Sequence, residues 1–219
     1  MPSIAFFHGW GLSSQFWGPV SLGPNWKTYV FDRGYFGDQL MFDDLPKVDL
    51  IVAHSFGLHW IPEHLLESCH GIIALNTFRK FVPSAKLEGV KIRRVLQIMI
   101  NSFLENPHLV LEQFYTNVFN PYPVPFPVPD FIHHSLLLHD LNSMAEKDFI
   151  IKDSLKDKKW LIINSANDSI LGNTKRDNWD IPKLSLRSKT IVNGSHAVWV
   201  TNQQETILSI RTWLKTDLK

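Results

Sequence analysis

Ser55 has the setting that speaks most directly of chemistry. It stands in the run Asp49-Leu50-Ile51-Val52-Ala53-His54-Ser55-Phe56-Gly57, where a short apolar stretch stops abruptly at a serine with a small residue, Ala53 or Gly57, two positions to each side. A serine on a tight strand-to-helix turn is held in a strained backbone conformation, and a large side chain two positions away would collide with the neighbouring strand or helix. The pattern is that of a nucleophile elbow, with alanine where glycine is commoner. Taken alone, a chance serine after a strand explains it equally well.

Three further stretches change that balance. Ile4-Ala5-Phe6-Phe7 reads as a buried strand and runs into His8-Gly9-Trp10-Gly11, a glycine-interleaved turn of the kind that aims a backbone N–H at a developing oxyanion. Downstream, Trp160-Leu161-Ile162-Ile163-Asn164 leads into the polar loop Ser165-Ala166-Asn167-Asp168, and Thr190-Ile191-Val192 leads into Asn193-Gly194-Ser195-His196. Serine, acid and histidine therefore follow three strands in the chain order that belongs to this elbow. A serine hydroxyl is a poor nucleophile at its free pKa, so His196 would take its proton while Asp168 holds the imidazole in the right tautomer. Asp32 and Asp38 are the rival acids, and either could instead order the loop after the second strand. His54 reads as a packing and turn residue and His8 as a brace for the glycine turn. His133, His134 and His139 lack a zinc spacing with supporting acids or cysteines, so neither a metal nor another cofactor is expected.

The elements that must position these groups alternate between strands and helical or looped connections, the mark of an α/β chain with a parallel sheet covered on both faces. Strands are expected at residues 4–7, 27–31, 50–53, 71–75, 160–163 and 190–192. About eighty residues separate the fourth from the fifth. Within that gap Ile92, Val95, Leu96, Met99, Ile100, Phe103 and Leu104 recur at helical spacing, and Leu109, Leu111, Phe114, Tyr115 and Val118 follow suit after the Asn106-Pro107 break. The alternating prolines at 121, 123, 125, 127 and 129 forbid helix and sheet ladders, so an extended connector is expected before a third helix near residues 131–141. Such a connector could serve as a proline-rich ligand for a partner domain, but its interleaved apolar residues favour burial. The organisation expected is a core of residues 1–78 and 151–219 with a helical lid, 79–150, roofing the serine with apolar side chains.

At this point the chain resembles the α/β-hydrolase superfamily over nearly its whole length. His8-Gly9-Trp10-Gly11-Leu12 followed by Gln15-Phe16-Trp17 is similar to the opening of BioH-type pimeloyl-acyl carrier protein methyl ester esterases, and the segment from Leu87-Glu88-Gly89-Val90-Lys91 through Phe103-Leu104 looks like the start of that family's four-helix lid. The resemblance implies a serine carboxylesterase with Ser55, His196 and Asp168 as its triad and the N–H groups of Trp10 and Phe56 as its oxyanion hole. Trp10, Phe103, Phe114 and Trp199 are the expected substrate contacts. The implied reaction removes the methyl group from a carrier-bound pimeloyl ester in biotin synthesis. Basic lid residues help that family bind its acidic carrier protein; here no lysine or arginine occurs from Val95 to Glu146, and the basic residues gather at Arg79, Lys80, Lys86, Lys91, Arg93 and Arg94. Arg93 and Arg94 are the expected docking residues, against the plain reading that basic residues on an amphipathic helix face water. A broad-specificity esterase, a carbon–carbon hydrolase, the menaquinone-pathway lyase and a non-catalytic ligand binder share the fold and remain alternatives.

Composition narrows the field further. A chain of 219 residues can bury one sizeable core and is short for the superfamily, which predicts a sheet trimmed of its opening antiparallel strands. With 22 basic against 21 acidic residues, nothing points to nucleic acid as a partner. The lone Cys69 cannot form an internal disulfide and reads as a small core residue suited to a reducing compartment. No basic leader precedes the first strand and no apolar run approaches about 18 residues, so a soluble, cytoplasmic protein is expected; a monomer is the expected state.

Overall fold

The computed structural model describes residues 1–219 apart from 21, 24, 43, 173–178, 180–183, 219 and the side chain of Lys86. Lys86, one of the basic residues at the front of the expected lid, thus has a side chain outside the described residues. Six strands form one sheet: β1 (Ser3–Phe7), β2 (Lys27–Phe31), β3 (Leu50–His54), β4 (Gly71–Leu75), β5 (Lys159–Ser165) and β6 (Ser185–Ile191), in the order β2-β1-β3-β4-β5-β6. Every pairing between these strands is parallel, and among the described residues the sheet carries no antiparallel strand, as the short chain predicts. The four inner strands are near-continuous apolar runs because a parallel sheet buries both faces.

Register shows how the two faces are served. Phe7, Ala53, Ala74 and Ile162 are aligned across the sheet, as are Phe6, Val52, Ile73 and Leu161 one residue earlier. The first set belongs to a core shared with Leu65 and Leu66 of α1 (Glu63–Ser68) and Leu155 of α5 (Asp153–Lys156). The second packs with Phe16, Trp17, Trp199 and, from α7 (Gln203–Asp217), Ile210 and Trp213. Burying each such aliphatic or aromatic side chain stabilises the fold by about 1.5–3 kcal/mol before entropy is charged.

β6 differs from the expectation in extent. It begins at Ser185 and stops at Ile191, leaving Val192 outside, and its outer residues are exposed. As an edge strand it alternates serine, arginine and lysine with few apolar residues, so periodicity marks only its buried end. Cys69 is buried, and burial pushes its thiol up to about 12, the behaviour of an inert core residue.

Between β4 and α5 lie three helices: α2 (Lys86–Glu105), α3 (Pro107–Phe119) and α4 (His134–Glu146). The four-helix arrangement implied by the resemblance is not what residues 79–150 form. Past a turn at 121–122, the alternating prolines keep 123–129 out of helix and sheet ladder, with the prolines at 121, 123, 125 and 127 exposed and Tyr122, Val124, Phe126 and Val128 turned partly inward. α4 starts three residues later than expected because the ring of His133 caps it, accepting from the N–H of Leu136. This insertion packs on both cores: Leu96, Phe103, Leu137 and Leu141 join the first, and Tyr115, Val118 and Phe119 join the second.

Parallel strands release their following segments at one edge of the sheet. The glycine turn after β1, Ser55 after β3, the loop with Asp168 after β5 and that with His196 after β6 all leave there.

Candidate active site

Ser55 opens a 3-10 helix, Ser55–Trp60, directly after β3, with φ at 53°. That left-handed conformation costs a non-glycine residue about 1–3 kcal/mol and persists only where its surroundings impose it. Here they do. A Cβ on Gly57 would lie 2.2 Å from the Phe7 carbonyl oxygen, and one on Gly9 would lie 2.9 Å from Ser55 Cβ. Both glycines are therefore required for the turn after β1 to lie against the serine. Ala53, between Phe7 and Ala74 in register, keeps the strand side of the elbow small.

The His196 imidazole faces the serine. Its Nε2 lies 2.9 Å from Ser55 Oγ, and its Nδ1 lies 2.8 Å from Asp168 Oδ2. A carboxylate only accepts, so Nδ1 carries the proton and Nε2 is left to accept from the hydroxyl. Asp168 is oriented by its other oxygen, which accepts the N–H groups of Ile170 (2.9 Å) and Leu171 (2.8 Å). Burial pushes this carboxyl up, but His196 and the two N–H groups outweigh it, holding Asp168 below the usual carboxylate range. Of the rival acids, Asp32 accepts the N–H groups of Ser14 and Gly34 at 2.7 and 2.9 Å and so orders the loop after β2, whereas Asp38 is exposed.

The glycine turn is held from several sides. His8 is buried with Nδ1 2.9 Å from the Gly9 carbonyl, and its Nε2 accepts the Arg33 N–H at 3.0 Å. The Trp10 indole N–H donates to the Leu137 carbonyl of α4 at 2.8 Å, and the Tyr115 hydroxyl of α3 donates to the Gly11 carbonyl at 2.7 Å. Phe56 is the second residue of the 3-10 helix, whose first N–H groups have no helical acceptor.

Above Ser55 opens a cavity of about 350 Å³, walled chiefly by Trp10, Phe81, Leu96, Met99, Phe114 and Met144. Among the described residues no lining side chain carries a formal charge; Ser102, Gln113, Asn117 and Ser169 supply polar groups beside Ser55. Two of the four expected substrate contacts, Trp10 and Phe114, line this space. The other two do not. Phe103 is buried behind Trp10, ring edge to face at 6.1 Å, and Trp199 packs with Phe6 and Trp17 on the opposite face of the sheet. Helical period and proximity to His196 mark both as apolar and near, but the space each fills is set by packing. Arg93 and Arg94 are exposed on α2, and Arg93 donates to the Ala145 carbonyl of α4.

No family model and no curated protein matches the sequence. Solved structures do match the fold. An esterase (EaEST) from Exiguobacterium antarcticum superposes with a TM-score of 0.76 at 13% identity, covering 99% of this chain and 92% of that one. MenH from S. aureus gives 0.74 at 14% identity (100% and 95%), and a bromoperoxidase from Bacillus anthracis 0.67 at 16% (98% and 92%). The chain has the α/β-hydrolase fold.

Within this hydrolase fold, sequence reasoning missed three groups beside the site. Asn76, just after β4 with φ at 44°, bonds to Ser165 and to the carbonyls of Ser195 and His196. Asp140 of α4 is buried and takes a two-pronged bond from Arg33 (2.9 and 3.0 Å) and one from the Tyr35 hydroxyl at 2.8 Å, tying the insertion to the loop after β2. Neither has a local sequence signal, since the partners lie 89 to 120 residues away. The third, His59, stacks flat on Phe56 (5.3 Å) and meets the Phe78 carbonyl at 2.9 Å.

Burial lowers His59 from an ordinary 6.5 to about 4. A histidine depressed in the folded state binds its proton more readily when unfolded, so its contribution is present above pH 6.5 and is lost as pH falls toward 4. Thermal melts of the intact chain should decline across that window more steeply than those of His59→Phe, which keeps the stack without the titration. Parallel curves for the two proteins would contradict the assignment.

Proposed function

We propose that this protein is a serine ester hydrolase acting through Ser55, His196 and Asp168. The observation that carries the reading is the unbroken hydrogen-bonded chain from Ser55 Oγ through His196 to Asp168 beneath an uncharged apolar cavity. Ser55 Oγ attacks the ester carbonyl as its proton passes to His196 Nε2, and Asp168 stabilises the imidazolium. The oxyanion that develops is met by the N–H groups of Trp10 and Phe56, each such donor contributing roughly 3 kcal/mol to lowering the barrier. His196 returns the proton to the leaving alcohol, and water then releases the acid from the acyl-serine by the same route in reverse. The esterases among the structural neighbours speak for this reading.

An apolar acyl ester is the substrate class that the cavity favours. A lyase acting on an acidic substrate calls for cations in the pocket, and among the described lining residues there are none. The finer reading is a pimeloyl methyl ester presented on acyl carrier protein, with Arg93 and Arg94 steering the acidic carrier to the front of α2 and the reaction set in the cytoplasm. Kinetics with this carrier-bound ester and with free nitrophenyl esters test it. Changing Arg93 and Arg94 to glutamate should lower the ratio of carrier-bound to free-ester kcat/KM about tenfold, most strongly at low salt. An unchanged ratio removes the carrier and leaves an esterase for free acyl esters. Absence of turnover with every ester would favour a ligand-binding protein instead.

A further inference from the structure

His196 sits on a loop that adopts no regular structure between β6 and the short helix α6 (Val198–Thr201), yet its ring must keep two partners within 3 Å. Its own main-chain carbonyl is where the loop is gripped. That oxygen accepts from His54 Nε2 at 2.9 Å and from Asn76 Nδ2 at 2.8 Å, side chains at the end of β3 and just past the end of the adjacent β4. Because a carbonyl only accepts, His54 is fixed with its proton on Nε2.

Both donors are held for this task. The His54 ring is buried, lies against Phe16 at 4.5 Å and approaches the His196 ring to 4.9 Å. Its Nδ1 has no hydrogen-bond partner among the described residues and faces Gly9, where an added Cβ would come within 3.1 Å. Burial holds the ring well below the usual histidine range, so it stays uncharged and keeps the single tautomer that can donate to the carbonyl. Asn76 pairs with Ser165 in both directions, its Oδ1 accepting the Ser165 N–H and its Nδ2 reaching Ser165 Oγ, each at 2.8 Å. Ser165 ends β5, three residues before Asp168, so one amide joins the acid-bearing loop to the histidine-bearing loop.

We propose that His54 and Asn76 are positioning residues that jointly clamp the His196 carbonyl and so keep its imidazole aligned between Ser55 and Asp168. This rests on the hydrolase reading above. Misplacing a catalytic group by about 1 Å can cost on the order of 100-fold in rate, whereas substrate binding in the cavity does not depend on either side chain, neither of which lines it.

The test compares His54→Phe, which keeps the ring stack without a donor, His54→Gln, which restores an amide N–H, and Asn76→Gly, which removes the amide at a positive φ that glycine adopts without strain. On a short-chain nitrophenyl ester, His54→Phe and Asn76→Gly should each lower kcat about 10- to 100-fold with KM within about twofold, and His54→Gln should recover part of the loss. Wild-type kcat in His54→Phe and Asn76→Gly, or equal losses in the Phe and Gln variants, would overturn the clamp. A readout independent of turnover separates this from failure of the hydrolase reading. The low-field proton signal of His196 Nδ1–H should be sharp in the natural chain and broadened in His54→Phe and Asn76→Gly; a signal equally sharp in all three would overturn the clamp even if no ester were hydrolysed.

Discussion

Replacing Ser55 with alanine is expected to lower ester turnover by on the order of 10⁶-fold while leaving the fold intact. The hydroxyl oxygen is the only heavy atom removed, and among the described residues its hydrogen bond runs to His196 Nε2. Alanine must still adopt the left-handed turn, but Gly9 and Gly57 continue to enforce it and no new volume enters the elbow. The rate that survives would come from the oxyanion donors and substrate binding alone. Labelling by a serine-directed fluorophosphonate, followed by mass spectrometry, provides the companion measurement. Label in the natural chain and none in Ser55→Ala is the expected pair. Persistent labelling of the variant would move the nucleophile elsewhere and end the hydrolytic account as stated.

Asp168→Asn should be the next most damaging change, with kcat falling about 10⁴-fold at little change in KM. The structure supplies the reason. One carboxylate oxygen is committed to the N–H groups of Ile170 and Leu171, which require an acceptor, and the other meets His196 Nδ1. An asparagine in this place must turn its carbonyl oxygen to the two N–H groups and its NH₂ to the imidazole. Nδ1 then becomes the acceptor, the proton moves to Nε2, and the ring can no longer take a proton from Ser55. Steady-state kinetics of the variant, with thermal melts to establish folding, test this directly. Activity within tenfold of the natural chain would mean that a different acid serves His196. Asp32 is poorly placed for that role, being engaged by Ser14 and Gly34 beside the glycine turn.

Much of the architecture was legible because it is local. Residues 4–7, 27–31, 50–53, 71–75 and 160–163 lie within the observed strands, since a short apolar run between turn residues has few other ways to bury itself. The helices of the insertion were legible through their 3.6-residue period, and the connector through its prolines. β6 was seen only at its buried end because an edge strand shares its outer residues with water. The cavity contacts were half legible: an apolar pattern marks Trp10, Phe103, Phe114 and Trp199 alike, but whether a ring faces an opening or another ring depends on neighbours distant in sequence.

By itself the sequence determined which groups could do chemistry and in what order they leave the strands, because the elbow, the glycine turn, the acid loop and the histidine loop are each written in a few adjacent residues. Only the tertiary structure decided how those groups are held. The indole of Trp10 reaches α4, the hydroxyl of Tyr115 reaches Gly11, Asp140 receives Arg33, and His54 and Asn76 meet on one carbonyl. Each of these bonds joins residues more than 100 positions apart, so no local pattern encodes it; it exists because the parallel sheet delivers its strand ends to one edge and the insertion folds back over them.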